Sequence, residues 1–288
     1  VLVWGSAFTG GINQGAQRYS QIGYNRRDAG TEVASSVTGD IRVKALNDIE
    51  VVANKYEKGI VGSSGWNSLT DNTGNASFAQ IGHGGERDSV EDMQLSGTIL
   101  VEAGGNLSLL GGLAYNNHAS IGHGGYDNLD IDGTNLATLG GAITVTAGGD
   151  VNLIAGIGFH AHTQIGHGGG NHRLVDFTES NILVTAGGDV KVLGGAGTPV
   201  TSSSHDAQSQ IGHGGKGADF MVGGVVALAG SGKGYKGEIT VNAGGSVRVE
   251  AGKYDAANIA VIGNGGIDTD GDHSGIVRVT AGGGIDVI

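Results

Sequence analysis

The segment ITVTAGGDVNLIAG, Ile143 to Gly156, limits what this chain can fold into more than any other feature, because variants of it return along the whole sequence. They read ILVEAGGNLSLLGG (Ile99 to Gly112), ILVTAGGDVKVLGG (Ile182 to Gly195), ITVNAGGSVRVEAG (Ile239 to Gly252) and IRVKALNDIEVVA (Ile41 to Ala53). A last copy, VRVTAGGGIDVI, reaches Ile288. Each alternates apolar and polar residues with a period of two, the pattern of strands with one buried face. In the Ile143 copy the expected buried set is Ile143, Val145, Ala147, Gly149, Val151, Leu153 and Ala155. A two-residue hairpin at Gly148 and Gly149 would set Ala147 opposite Asp150, Val145 opposite Asn152 and Ile143 opposite Ile154. Cross-strand partners share a face, so both faces would mix core and solvent residues. A chain that bends at the glycines and runs on keeps one face apolar throughout. The pair is therefore predicted to be a corner in a continuing strand, for which glycine suits because it tolerates backbone angles closed to other residues.

A second motif alternates with the first: SQIGYN at Ser20, AQIGHGG at Ala79, ASIGHGG at Ala119, TQIGHGG at Thr163, SQIGHGG at Ser209 and AVIGNGG at Ala260. Its isoleucines are Ile22, Ile81, Ile121, Ile165, Ile211 and Ile262, so the interval runs from 40 residues (81 to 121) to 59 (22 to 81). Fixed motifs at variable intervals imply one structural turn per repeat, with insertions at set places. Each of about six turns is expected to hold three strands, one on each side of the glycine bend and one in IGHGG. The rest falls in loops, at Asn54 to Ala76, Glu86 to Ser96, Tyr126 to Leu139, Gly195 to Gln208 and Lys216 to Lys236. Stacked on their equivalents roughly 4.8 Å apart, such turns make an all-β, right-handed parallel β-helix (β-solenoid) spanning residues 1–288 as a single segment. VLVWG at the start matches the second half of the long motif, and neither end shows a cap. The segment is expected to be an internal part of a longer rod.

Composition agrees. Glycine supplies 59 of 288 residues and aromatics 5%, which favours a thin core of small aliphatic side chains over a thick one. The formal net charge is −12 with basic residues scattered singly, against the clustered cationic footprint of a nucleic-acid binder. Cysteine is absent, so disulfides and thiolate metal sites are excluded. No apolar run approaches the ~20 residues of a transmembrane helix. The chain does not start with Met and shows no signal peptide, as expected of a processed or excised segment.

The I-x-V-x-A-G-G-D-V-x-L-x-A-G units and the IGHGG units between them resemble the large bacterial surface adhesins of the filamentous haemagglutinin type, exported by two-partner secretion. The resemblance runs over essentially the whole chain. It implies a right-handed β-helix, an outer-membrane secretion partner, an extracellular or cell-surface location, and roles in attachment, aggregation or biofilm matrix. No secretion domain of that family is recognisable here.

Several residue sets are candidates for chemistry. His83, His123, His167 and His213 hold one place in four successive turns, with Tyr24 and Asn264 in that place at either end. They could form a row of metal ligands, but no carboxylate is fixed beside them. A stacked, neutral ladder bonded to nearby backbone is the expected reading. Gln80, Gln164 and Gln210, with Gln21, form a second row of opposite parity, expected to stack as structural amides along the axis. Asp268, Asp270 and Asp272 in DTDGDH place carboxylates as in the first positions of a calcium loop. They lack its later glutamate, as does the weaker echo at Asp130 and Asp132, so a solvated acidic loop is expected and no cofactor is assigned. Tyr56 and Trp66, in the longest loop, are the candidates for contact with a sugar ring or partner surface.

Three functions compete. The expected one is a non-catalytic stalk of an extracellular adhesin or matrix fibre, with like molecules, extracellular polysaccharide or a cell surface as partners. The second is a filament subunit stacking end to end. The third is a β-helix polysaccharide lyase or hydrolase, for which Arg42, Lys44, Lys191, Arg248 and Arg278 are basic candidates but lack an evident facing acidic cluster.

Overall fold

At its paired glycines the long motif does not fold back. Ile143–Ala147 and Val151–Ile154 belong to two different sheets, and each pairs in parallel with its equivalents one repeat away. The computed structural model describes residues 1–4, 18–24, 36–53, 77–84, 94–112, 116–129, 138–158, 160–174, 176–195, 207–222, 225–227, 229–252 and 258–288. Every regular element among them is a strand.

The first sheet stacks six strands, Ile41–Ala45, Ile99–Ala103, Ile143–Ala147, Ile182–Ala186, Ile239–Ala243 and Val277–Ala281. The register sets like on like: Ile143 lies beside Ile99 and Ile182, and Val145 beside Val101 and Val184. After the corner the second sheet stacks seven strands, from Leu2–Trp4 through Val151–Ile154 to Ile285–Val287. The third carries the IGHGG motif in six strands, from Arg18–Ile22 to Ala260–Ile262. The architecture is a parallel β-helix.

Two further sheets arise in segments predicted as loops. One joins Ser36–Thr38, Gln94–Ser96, Thr138–Gly140 and Asp176–Phe177. The other joins Tyr126–Leu129, Gly168–Leu174, Gly214–Val222 and Gly265–Ile267. Three strands per turn is therefore an undercount. The alternation that marks a strand is invisible in runs of two or three residues, and Gly168, Gly169 and Gly170 have no side chains with which to show it. Among the described residues all pairings are parallel except that of Met221 and Val222 with Val226 and Val225.

Burial follows the predicted parity. Ile143, Val145, Ala147, Val151, Leu153 and Ala155 are buried, while Gly149 at the corner is half-exposed. Inward residues of the first three sheets form one continuous core from Val3 to Val249. Each fully buried Ile, Leu or Val in it contributes about 1.5–3 kcal/mol relative to exposure. A smaller core holds Leu95, Leu139, Leu174, Phe177, Phe220, Ala227 and Tyr235.

Candidate functional site: the polar columns between coils

Because each IGHGG strand lies directly on the next, any side chain it carries repeats along the axis at the strand spacing. The four histidines do so: ring centroids are 4.7 Å apart for His83 and His123, 4.8 Å for His123 and His167, and 5.0 Å for His167 and His213. Both nitrogens of each ring are engaged. Nδ1 of His123, His167 and His213 accepts the backbone N–H of the histidine one coil below, at 2.9–3.1 Å, and Nδ1 of His83 accepts that of Tyr24. Nε2 of His83, His123, His167 and His213 lies 2.6–3.0 Å from the carbonyls of Gly39, Gly97, Gly141 and Ser180. An acceptor at Nδ1 and a carbonyl at Nε2 assign the neutral tautomer protonated on Nε2. Asn264 reproduces both roles: its Oδ1 accepts the His213 N–H, and its Nδ2 donates to the carbonyls of Gly237 and Ser274. Burial, then the neighbouring imidazole, pushes His123 down to about 2 and His167 to about 3; burial takes His213 to about 4. The rings are neutral and have no free lone pair for a metal.

Gln80, Gln164 and Gln210 lie on the opposite parity yet are also buried, and Gln21 is half-buried. Most of them bond to backbone, not to one another. Gln164 donates to the carbonyls of Gly212 and Gly214 in the next coil at 3.0 and 2.9 Å, and Gln210 to those of Gly263 and Gly265 at 2.9 and 2.8 Å. Gln80 reaches Gly122 and Gly124 in the same way. The exception is Gln21, whose amide also donates to Gln80 Oε1 at 3.2 Å. The row is a set of clasps between coils. It breaks at Ser120, whose buried hydroxyl is too short to reach and has no hydrogen-bond partner among the described residues.

Two columns were not recognised in the sequence. Three residues before the IGHGG isoleucine, Phe78, His118 and His162 stack with centroids 5.1 and 4.8 Å apart. Both histidines are buried, and burial lowers both well below the usual imidazole range, His162 to about 4. The signal was present in HASI and HTQI but was masked by the stronger IGHGG match. The other column stands at the glycine corner. Asp48, Asn106, Asp150 and Asp189 each accept, through Oδ1, the backbone N–H of the equivalent residue one coil on, at 2.7–2.8 Å. Ser246 Oγ does the same for Gly284 at 3.2 Å. The second glycine of each pair makes room for this: a Cβ on Gly105, Gly149, Gly188 or Gly245 would overlap the oxygen of Asp48, Asn106, Asp150 or Asp189. Stacked carboxylates repel, and at the adjacent pair Asp150 and Asp189 the Lys191 amine sits 3.5 and 3.3 Å from them.

The remaining candidates are dispersed. Asp272 binds the N–H groups of Gly230 and Gly232 through both oxygens, at 2.8 and 2.6 Å, and so fastens a neighbouring loop. These bonds hold its carboxyl below the usual range. Asp268 adopts a left-handed φ of 51°. Among the described residues no three His, Asp or Glu side chains are placed to hold a metal ion. Tyr56, Trp66, Asp130 and Asp132 lie outside the described residues. Arg42 and Lys44 pair with Glu102, Arg248 with Glu250 and Arg278 with Glu238, each on the outer face of a sheet.

Fold and columns together define a β-solenoid repeat protein whose motif side chains bond coil to coil. No protein-family model, no curated protein and no solved structure matches the chain. No helix among the described residues is long and apolar enough to cross a membrane.

Proposed function

We propose that this chain is a non-catalytic stalk segment of an extracellular bacterial adhesin or biofilm-matrix fibre of the filamentous haemagglutinin type, mediating attachment between cells or to a surface. The observation that carries this reading is the fate of the motif's polar side chains. The ladder histidines, the clasping glutamines and the corner aspartates all bond to the backbone of an adjoining coil. A site for chemistry needs groups left free for a substrate. Here the repeated groups tie one coil to the next, which suits a rod that carries load along its axis. Attachment then falls to the segments between strands and to multivalent display, where many weak contacts add through effective concentration. The partners proposed are extracellular polysaccharide, a cell surface or like molecules.

The test is retention of polysaccharide. Beads coated with the purified chain should retain soluble acidic and neutral bacterial polysaccharides without shortening them. Release of unsaturated or shortened sugars would move the reading to a lyase or hydrolase. Beads that hold no polysaccharide and do not adhere to bacterial cells would remove the attachment role.

A further inference from the structure

One coil of the glutamine row is built differently from the rest. Gln21, Gln80, Gln164 and Gln210 each set an amide nitrogen between two glycine carbonyls of the next coil, as Gln164 does with Gly212 and Gly214. Ser120 stands in register between Gln80 and Gln164. The matching carbonyls one coil on are those of Gly166 and Gly168. Both are aimed back at the Ser120 coil, since a Cβ on Gly122 would overlap the Gly166 oxygen and one on Gly124 the Gly168 oxygen. Serine stops at its γ oxygen, so neither carbonyl receives an amide from it. Its hydroxyl is buried, has no partner among the described residues, and lies between buried glutamines.

These three groups define what fits beside them. Two carbonyl oxygens call for two donors, which the amide nitrogen supplies elsewhere in the row. The serine hydroxyl has a proton to give and calls for an acceptor. Water offers two donors and accepts as well. A buried water needs 2–4 polar partners and a share of volume of roughly 30 Å³, and the amide group that serine lacks is larger than one water. A bare cation would also meet oxygen atoms here, but neither the hydroxyl nor the carbonyls carry charge to compensate it in the interior.

We propose that one internal water completes the glutamine row at Ser120. It accepts the serine hydroxyl proton and donates to the carbonyls of Gly166 and Gly168, in the position held by the amide nitrogen in the other coils. The bonding between coils is then continuous along the row. The inference rests on the geometry of the row and is independent of the attachment role.

High-resolution diffraction from the parent and from Ser120→Gln tests it, with oxygen-17 magnetic relaxation dispersion in solution to count long-lived internal waters. The parent should show a solvent oxygen within about 2.5–3.2 Å of Ser120 Oγ and of both carbonyl oxygens. In Ser120→Gln the amide nitrogen should replace it, and the solution count should fall by about one water. A parent in which Ser120 Oγ bonds directly to a protein atom, with no solvent between it and the carbonyls, would overturn the inference. So would a solvent peak that gains anomalous signal after rubidium soaking, which would assign a cation, or a folded Ser120→Gln variant with an undiminished count. If the variant does not fold, the parent's own density decides between these outcomes.

Discussion

Lys191 shows how a single side chain settles an electrostatic conflict created by stacking. The corner column alternates charged and neutral acceptors except at Asp150 and Asp189, and Lys191 lies against that pair. All three side chains are about one-third exposed, so solvent screens the interaction. Lys191→Met should cost about 0.5–1 kcal/mol in urea melts. Adding Asp189→Asn should restore most of it, because the amide oxygen can still accept the Ser246 N–H. Ser120 offers the opposite experiment. Its neighbours in the column clasp the next coil, and it does not. Ser120→Gln should let an amide reach the carbonyls of Gly166 and Gly168 and add about 1 kcal/mol in the same melts; a loss of stability would mean that the glutamine does not fit there.

At the scale of the strand and its corner, glycine serves close approach, and the cost of a methyl group depends on what lies beneath. Gly148→Ala would drive a Cβ into the Gly104 carbonyl and should destabilise by about 1–3 kcal/mol through forced backbone shifts. Leu46→Ala at the equivalent position of the first coil should change stability by less than about 0.5 kcal/mol, since Leu46 is 89% exposed. Thermal melts of the two variants side by side check both values.

The whole molecule stacks buried neutral imidazoles, and this gives it an acid limit. In the fold His123, His167, His213 and His162 are held down to between about 2 and about 4, against about 6.5 in an unfolded chain. Below pH 6.5 the unfolded state therefore binds protons that the folded state refuses. Their contribution is fully present above about pH 6.5 and is lost as pH falls towards the folded values. Each such histidine costs up to about 1.4 kcal/mol per pH unit in that window. With domain stabilities of roughly 5–15 kcal/mol, the rod should unfold cooperatively before its folded-state values are reached. Acid titration by far-UV circular dichroism should show one transition between about pH 6.5 and 4. His167→Asn, which copies the arrangement at Asn264, should move that midpoint to lower pH. An unchanged midpoint would mean that His167 titrates alike in both states.

Much of this architecture could be read from the residues alone. Alternation in ITVTAGGDVNLIAG reports which side chains avoid water, and burial of a side chain in a strand follows from its parity whatever lies across the core. Parity also chose the corner over the hairpin, and the return of the motif implied stacking. The short strands beside Gly168 and Leu139 left no alternation to read. The partners of the polar atoms were equally out of reach. His167 Nδ1 meets an N–H 44 residues away, and Gln164 a carbonyl 50 residues away, across segments of irregular length. A row of like residues fixes that they stack. Whether a glutamine bonds to its neighbour's amide or to a glycine carbonyl depends on distances set by tertiary packing. The same packing turns Asp150 from an ordinary polar residue after two glycines into the acceptor that the next coil requires.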